Sequence, residues 1–193
     1  MITGGGGAGN EAIYRLASDR YELYFVDSDV SNIDPTIPYS NKRQIPLATD
    51  AHFVEFLKNL CLDLKVDVLI PSVDEELLLI AEGSHEWGAT KIMLPHANYV
   101  SAMTDKLTMI KVLEAQGILA PKTESLDNDF AKFNFPCIVK PRVGRGSRGV
   151  FSVADRKEVE AFRAKLGKDA INQVLQVKYF GAEYTVQMIA NFK

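Results

Sequence analysis

The chain is poor in metal ligands, in basic clusters and in long apolar runs. Its three histidines, His52, His85 and His96, and its two cysteines, Cys61 and Cys137, are scattered without ligand spacing, so no metal-site pattern emerges. The cysteines stand in apolar helix-like and strand-like contexts and read as small core fillers, which suits a reducing cytoplasm. No apolar run approaches membrane-spanning length, and no secretory signal is read ahead of the first strand. Lys and Arg number 22 against 25 Asp and Glu, a formal charge of -3. No cluster of these cations is interleaved with aromatics, so a nucleic-acid footprint is missing. Neither a Ser/His/Asp nor a Cys/His arrangement appears, nor a repeat or low-complexity tract. What remains is a chain of 193 residues, 47% hydrophobic, with core enough for one domain or two small ones.

The opening, MITGGGGAGNEAIYRLASDRYELYFVDSDV, is where glycine concentrates. Gly4, Gly6 and Gly9 stand as G-x-G-x-x-G, a helical stretch follows, and an apolar run ends at Asp27, where a dinucleotide-binding domain holds the adenosine ribose. A nicotinamide-dependent oxidoreductase or epimerase is one reading of that pattern. Short-chain enzymes of that kind need Tyr-x-x-x-Lys, and the seven tyrosines offer none: Arg43 is four places after Tyr39, and Glu183 four after Tyr179. Glycine serves a tight strand-to-helix turn whatever is bound there.

Along residues 1–100 strands and helices alternate. Short strands are expected at 2–3, 22–26, 66–70 and 91–94, and helices at 10–17, 51–64 and 74–81. A long loop is expected at 28–46, which holds three prolines. The helix at 51–64 places Phe53, Phe56, Leu57, Leu60 and Leu64 on one stripe. His96 reads as a loop residue. Asp74, Glu75 and Glu76 open a helix, where negative charge suits the N-terminus. Such repeated units predict a parallel sheet covered on both faces.

After about residue 100 the texture changes. A helix is expected over 105–116, closed by Gly117, and another over 156–166. Strands are expected in KTESL, FPCIVKP, RGVFSV, VLQVKYF and EYTVQMI. Short strands joined by glycine turns predict an antiparallel α+β unit.

One stretch carries chemistry: FPCIVKPRVGRGSRGV, residues 135–150. An apolar strand delivers Lys140 at its end, and a turn containing Gly144, Gly146, Ser147 and Gly149 follows. Glycines let backbone N–H groups approach phosphate oxygens, and an ammonium adds a compact positive charge. Lying between strands rather than before a helix, this is a flap and not a P-loop. A glycine-rich hairpin tip with a solvated lysine is the plainer reading.

The stretch closely resembles the ATP-grasp superfamily, in which an apolar strand ending in Lys-Pro precedes a glycine/serine flap over the ATP phosphates. TDKLTMIKVLEAQGILAPKT resembles the family's entry segment, whose lysine, here Lys106, also faces phosphate. VLQVKYFGAEYTVQ resembles its hinge. VDVLIPSVDEELLLIAE resembles the segment preceding ATP-grasp in ligases like the carbamoyl-phosphate synthase large subunit. The resemblance implies a Rossmann-like pre-ATP-grasp domain over 1–100, whose glycine turn binds no dinucleotide, and an α+β ATP-grasp subdomain over 101–193, incomplete here. It implies Lys106 and Lys140 as catalytic phosphate-binding groups, with Gly144, Arg145, Gly146, Ser147 and Gly149 around the phosphates. Gln176, Val177 and Tyr179 would meet the adenine edge and Glu183 the ribose. Val177 and Lys178 depart from the family's usual glutamate and aromatic, so backbone groups and Gln176 would carry the adenine contacts. Arg142, Arg145 and Arg148 make the flap unusually basic, as phosphate partners or as solvated loop charges.

On this resemblance the whole protein is expected to be a cytoplasmic ATP-dependent ligase that takes ATP and Mg2+, a small-molecule carboxylate and an amine. It would engage neither nucleic acid nor membrane, and the resemblance admits a homodimer. Both ends read as cut: three residues precede the glycine turn, and the final strand pattern stops without a turn. The family's magnesium ligands lie downstream of its ribose glutamate, so the chain as given is expected to hold no metal ligand and to be inactive alone. A non-catalytic nucleotide-binding module stays open beside the ligase.

Overall fold

The computed structural model describes residues 1–83, 87–144, 146–184 and 186. It divides into two compact units, Met1–Asp105 and Lys106–Lys193.

In the first unit the strands are β1 (Ile2–Thr3), β2 (Phe25–Asp27), β3 (Lys42–Gln44), β4 (Val68–Leu69) and β5 (Lys91–Ile92). Among the described residues these strands pair in parallel: β1 with β2, β2 with β3, and β4 with β5. A parallel bridge between Ile2 and Ile70 joins the two sets, giving the order 3-2-1-4-5 found in dinucleotide-binding folds. Helices α1 (Asn10–Ala17), α2 (Phe53–Asp63), α3 (Asp74–Glu82) and α4 (Ala97–Thr104) complete the unit. Successive strand residues face opposite sides of a sheet, and here both sides are filled. Met1, Val26 and Leu69 belong to one cluster with Phe53, Leu57 and Cys61 of α2 and Ile80 of α3. Ile2 and Phe25 belong to another with Ile33 and Ile37, against which Tyr14 of α1 packs. Two buried faces explain the apolar residues read at β1 and at Phe25 and Val26 of β2.

Several expectations need correction. The stretch 28–46 is not all loop, because Lys42–Gln44 forms β3. Its polar residues gave no apolar signal, since it joins the sheet through its backbone ladder with β2. The stretch around His96 is a helix start: His96 caps α4, its Nδ1 accepting the Asn98 N–H at 3.3 Å. On α2 the fully buried stripe is Phe53, Leu57 and Cys61, spaced by four, whereas Phe56 is 42% exposed. The strands expected at 22–26, 66–70 and 91–94 differ in their bounds, running over Phe25–Asp27, Val68–Leu69 and Lys91–Ile92.

The second unit begins with α5 (Lys106–Ala115), after which Gly117 takes a left-handed φ of 71°. Strands β6 (Thr123–Ser125), β7 (Cys137–Pro141), β8 (Phe151–Val153) and β9 (Gln173–Val177) form one antiparallel sheet in the order β6-β9-β7-β8. Helix α6 (Arg156–Leu166) starts at Asp155, whose carboxylate accepts the Glu158 N–H at 3.0 Å, while Glu158 reaches back to the Ala154 N–H at 2.7 Å. Val159 of α6 packs with Phe130, Phe133, Cys137, Val139, Val153 and Leu175 on one sheet face. Both cysteines are free and buried. Of the strand expected at 183–189, Glu183 and Tyr184 lie in irregular backbone, and 185 and 187–189 lie outside the described residues.

Candidate functional site

Alternation along β7 decides what Lys140 can reach. Cys137 and Val139 point into the core, so Ile138 and Lys140 project from the opposite face. Lys140 is half-buried there, and its ammonium donates to Gln176 Oε1 at 2.8 Å. Gln176 Nε2 donates in turn to Thr123 Oγ1 at 2.7 Å. Burial holds the Lys140 pKa below the ordinary lysine value, and the charge of Lys106 adds to the effect.

Lys106 is the first residue of α5. Its backbone N–H donates to the Arg142 carbonyl at 2.9 Å. Its ammonium donates to the Gly144 carbonyl at 2.8 Å and lies 3.4 Å from that of Arg142. Two cations from different elements thus converge at the end of β7. Their acceptors here are neutral oxygens, so these partners leave the positive charge uncompensated.

The loop 142–150 joins β7 to β8, as a flap would. Gly144, Gly146 and Gly149 have φ of 129°, 65° and 69°, and Ser147 has 56°. Left-handed positions without bulky side chains let backbone N–H groups of a loop come close to an anion. Gly144, Gly146, Ser147 and Gly149 are all exposed; Arg145 lies outside the described residues. Arg142 anchors the base of the loop through its N–H to the Asn172 carbonyl at 3.0 Å, and Arg148 is exposed at the tip.

At the end of β9, Val177 donates its N–H to the Lys122 carbonyl at 3.0 Å, so any ligand contact it makes runs through its own carbonyl. Lys178 donates its N–H to the Pro136 carbonyl at 3.1 Å and its ammonium to Ser152 Oγ at 3.2 Å. Tyr179 is 71% exposed, and Glu183 is also exposed. Among the described residues no hydrogen bond ties either to the lysines. The structure therefore gathers Lys106, Lys140, Gln176 and the loop, and leaves Tyr179 and Glu183 on the exposed segment after β9. Thr123 escaped sequence reasoning because a threonine in a short strand carries no signal until the strand register is known.

The glycine turn is closed by its own chain. The Gly5 N–H donates to the Val26 carbonyl at 2.9 Å and the Gly7 N–H to that of Gly4 at 2.8 Å. Gly6 donates to Asp27 Oδ2 at 2.9 Å, while Asp27 Oδ1 accepts the Asp29 N–H at 3.1 Å. The loop 28–41 sits on the turn: a Cβ on Gly6 would stand 2.7 Å from that of Asn32, and one on Gly5 2.9 Å from Ile33 Cδ1. A pyrophosphate needs those N–H groups and that space. The carboxylate that would hold a ribose holds the turn instead.

Among the three acidic residues opening α3, Glu76 is 2% exposed. It accepts from the Ser72 and Val73 N–H groups, each at 3.1 Å, and from the Thr3 hydroxyl. Burial raises its pKa above the usual carboxylate range, with those three hydrogen bonds opposing. Its role here is to cap α3 and tie it to β1. His52 precedes α2 at 3.7 Å from Glu55; His85 lies outside the described residues. No helix among the described residues is long and apolar enough to cross a membrane.

Comparison with known proteins bears on the second unit most directly. Residues 103–193 match the family model described as the ATP-grasp domain, which bears out the superfamily resemblance read from the sequence. No curated protein sequence matches the chain. Among solved structures, the carboxyaminoimidazole ribonucleotide synthase of Aspergillus clavatus, complexed with ATP, superposes with a TM-score of 0.69 at 16% identity, over 93% of this chain and 47% of that one. The L-amino acid ligase of Bacillus licheniformis gives 0.60 at 20% identity, over 87% and 40%. The biotin carboxylase domain of the Hydrogenobacter thermophilus 2-oxoglutarate carboxylase, a dimer with MgADP and bicarbonate, gives 0.60 at 16%, over 92% and 43%. The chain thus shares their mixed α/β fold and spans less than half the length of each.

Proposed function

We propose that this chain is the nucleotide-gripping part of an ATP-grasp ligase, which uses Mg-ATP to activate a carboxylate for attack by an amine. One observation carries the reading: the Lys106 ammonium is held by a carbonyl of the glycine loop and the Lys140 ammonium by the Gln176 amide, both neutral oxygens, and the two cations are near enough for one to lower the pKa of the other. A phosphate oxygen is a stronger acceptor for an ammonium than a carbonyl or amide oxygen, so a polyphosphate would displace those partners. The match of residues 103–193 to the ATP-grasp domain supports the same assignment.

In this reading Lys106, Lys140 and the N–H groups of Gly144, Arg145, Gly146, Ser147 and Gly149 hold the β- and γ-phosphates. Gln176, the Val177 carbonyl and Tyr179 lie toward adenine, and Glu183 takes the ribose hydroxyls. The donors offered here are cationic or N–H groups, which fit phosphate; Mg2+ would enter bound to the nucleotide and neutralise its charge. A carboxylate oxygen attacks the γ-phosphorus as the bond to the ADP oxygen breaks, and an amine then displaces phosphate from the acyl phosphate. The protein contributes positioning and charge neutralisation. Residues 1–100 serve as the pre-ATP-grasp domain without a dinucleotide, in a chain order like that of the carbamoyl-phosphate synthase large subunit. Small-molecule substrates, a cytoplasmic setting and a homodimer accord with this proposal.

The test is a calorimetric titration of the chain with MgATP and a fluorescence titration with NADH. Saturable MgATP binding that weakens about tenfold or more in Lys140→Ala is expected, the scale of one charge-assisted hydrogen bond, with a flat NADH trace. Equal MgATP affinity in wild type and Lys140→Ala sinks the assignment, and saturable NADH binding would favour the oxidoreductase. In the full-length protein, ATP turnover that depends on an added carboxylate and amine separates a ligase from a non-catalytic nucleotide module.

A further inference from the structure

We infer that Thr123 and Gln176 are positioning residues for Lys140: a side-chain relay across β6, β9 and β7 fixes its ammonium at one point on the sheet face. The purpose of the relay rests on the nucleotide reading above; its existence rests on the hydrogen bonds alone. The register sets Thr123 opposite Gln176, and Gln176 opposite Ile138, two residues before Lys140. Thr123, Gln176, Ile138 and Lys140 therefore share the face turned away from Cys137, Val139 and Leu175.

The donor directions along this row constrain one another. The Thr123 hydroxyl donates its single proton to the Pro121 carbonyl at 2.7 Å, so its oxygen meets Gln176 with lone pairs. Only the NH2 end of Gln176 can satisfy those lone pairs, and it does so at 2.7 Å. The amide carbonyl is thereby turned to Lys140, whose ammonium it accepts at 2.8 Å. With the amide reversed, an NH2 group would face an ammonium, two donors with no acceptor between them. Thr123 is 7% exposed, which leaves little room for water to replace its hydroxyl. One threonine oxygen thus decides that a flexible lysine finds its acceptor. Such support matters because a displacement of about 1 Å in a positioned group can cost on the order of 100-fold in rate.

Side-chain 15N NMR of the chain reads the relay directly, as the exchange of the Lys140 ammonium protons with water. Lys140→Arg identifies the signal, and thermal melts establish that each variant is folded. Thr123→Val and Gln176→Met are expected to speed that exchange about fivefold, the loss of one hydrogen bond, while Thr123→Ser keeps the wild-type rate. Unchanged exchange in either folded variant, or a Thr123→Ser rate as fast as that of Thr123→Val, overturns the relay. A MgATP titration of the same proteins separates the two ideas. Weaker binding in Thr123→Val than in Thr123→Ser supports both; a wild-type chain with the exchange contrast but no MgATP binding overturns the nucleotide reading and leaves the relay standing.

Discussion

The ammonium of Lys106 donates to the carbonyl of Gly144 at 2.8 Å, which ties the start of α5 to the glycine loop between β7 and β8. A backbone bond from the Lys106 N–H to the Arg142 carbonyl lies beside it. The loop that would fold over a nucleotide is thus latched by a residue that would itself contact phosphate. Lys106→Ala removes the side-chain latch and keeps the backbone bond. Tryptic cleavage within 142–149 should then speed up about fivefold, since cleavage follows the population of the opened loop and one hydrogen bond is lost. Limited proteolysis read by mass spectrometry checks this, and an unchanged rate would show that the latch carries no weight.

Lys140 should carry a pH signature. Burial, then the Lys106 charge, lowers its pKa in the fold, whereas an unfolded lysine titrates at about 10.4. The fold therefore favours the neutral amine. That contribution is present above the unfolded pKa and lost as pH falls through the folded value. The stability of Lys140→Met minus that of wild type should accordingly shrink between pH 7 and pH 10.5 in paired urea melts, while MgATP binding by the variant weakens about tenfold or more. A difference that stays constant across that range contradicts the buried-ammonium account.

Two glycines with left-handed backbone should respond very differently to alanine. At Gly4, φ 58°, a Cβ would stand 2.6 Å from Val73 Cγ2 and 2.9 Å from Ser72 Oγ, whereas at Gly146, φ 65°, it meets nothing within 4 Å. Gly146→Ala should cost about 1–2 kcal/mol, the conformational penalty alone. Gly4→Ala adds overpacking and should cost about 3 kcal/mol or more. Urea midpoints measure both, and equal costs would mean that the β1 turn relaxes freely.

Glu76 gives the opposite pH slope to a surface carboxylate. Its folded pKa is raised by burial, so its contribution is fully present below the unfolded value of about 4.3 and is lost as pH rises through the folded pKa. In Glu76→Gln the amide oxygen could still accept from Thr3, Ser72 and Val73 without bearing the charge. The stability of this variant relative to wild type should rise from pH 4 to pH 7 in thermal melts. A flat difference would indicate that the fold does not perturb the carboxyl group.

Helices α1 and α6 were legible to the residue, because apolar spacing and, at α6, an Asp-x-x-Glu start say where a helix begins. Strand β3 was invisible, since Lys42, Arg43 and Gln44 are polar and it is their backbone that pairs with β2. Helix α4 was missed although His96 stands at its cap; histidine is a weak capping signal. The cationic half of the site could be read from the chain because Lys140 sits where an apolar strand ends and a glycine turn begins. Thr123 could not, as it gains meaning only when register sets it across from Gln176. The glycine fingerprint shows the converse limit. The motif reports the backbone turn faithfully, but Asn32 and Ile33, which fill the space above it, lie more than twenty residues downstream.

That filling has a practical consequence for anyone redesigning the protein. The glycines and the acidic residue of a cofactor cradle are already present, so point changes within the motif would add nothing. Access would require excising the residue 28–41 excursion, and with it Ile33 and Ile37, two members of the core on that face. Conversion to nicotinamide chemistry would thus begin with a deletion that undermines the very sheet meant to host it.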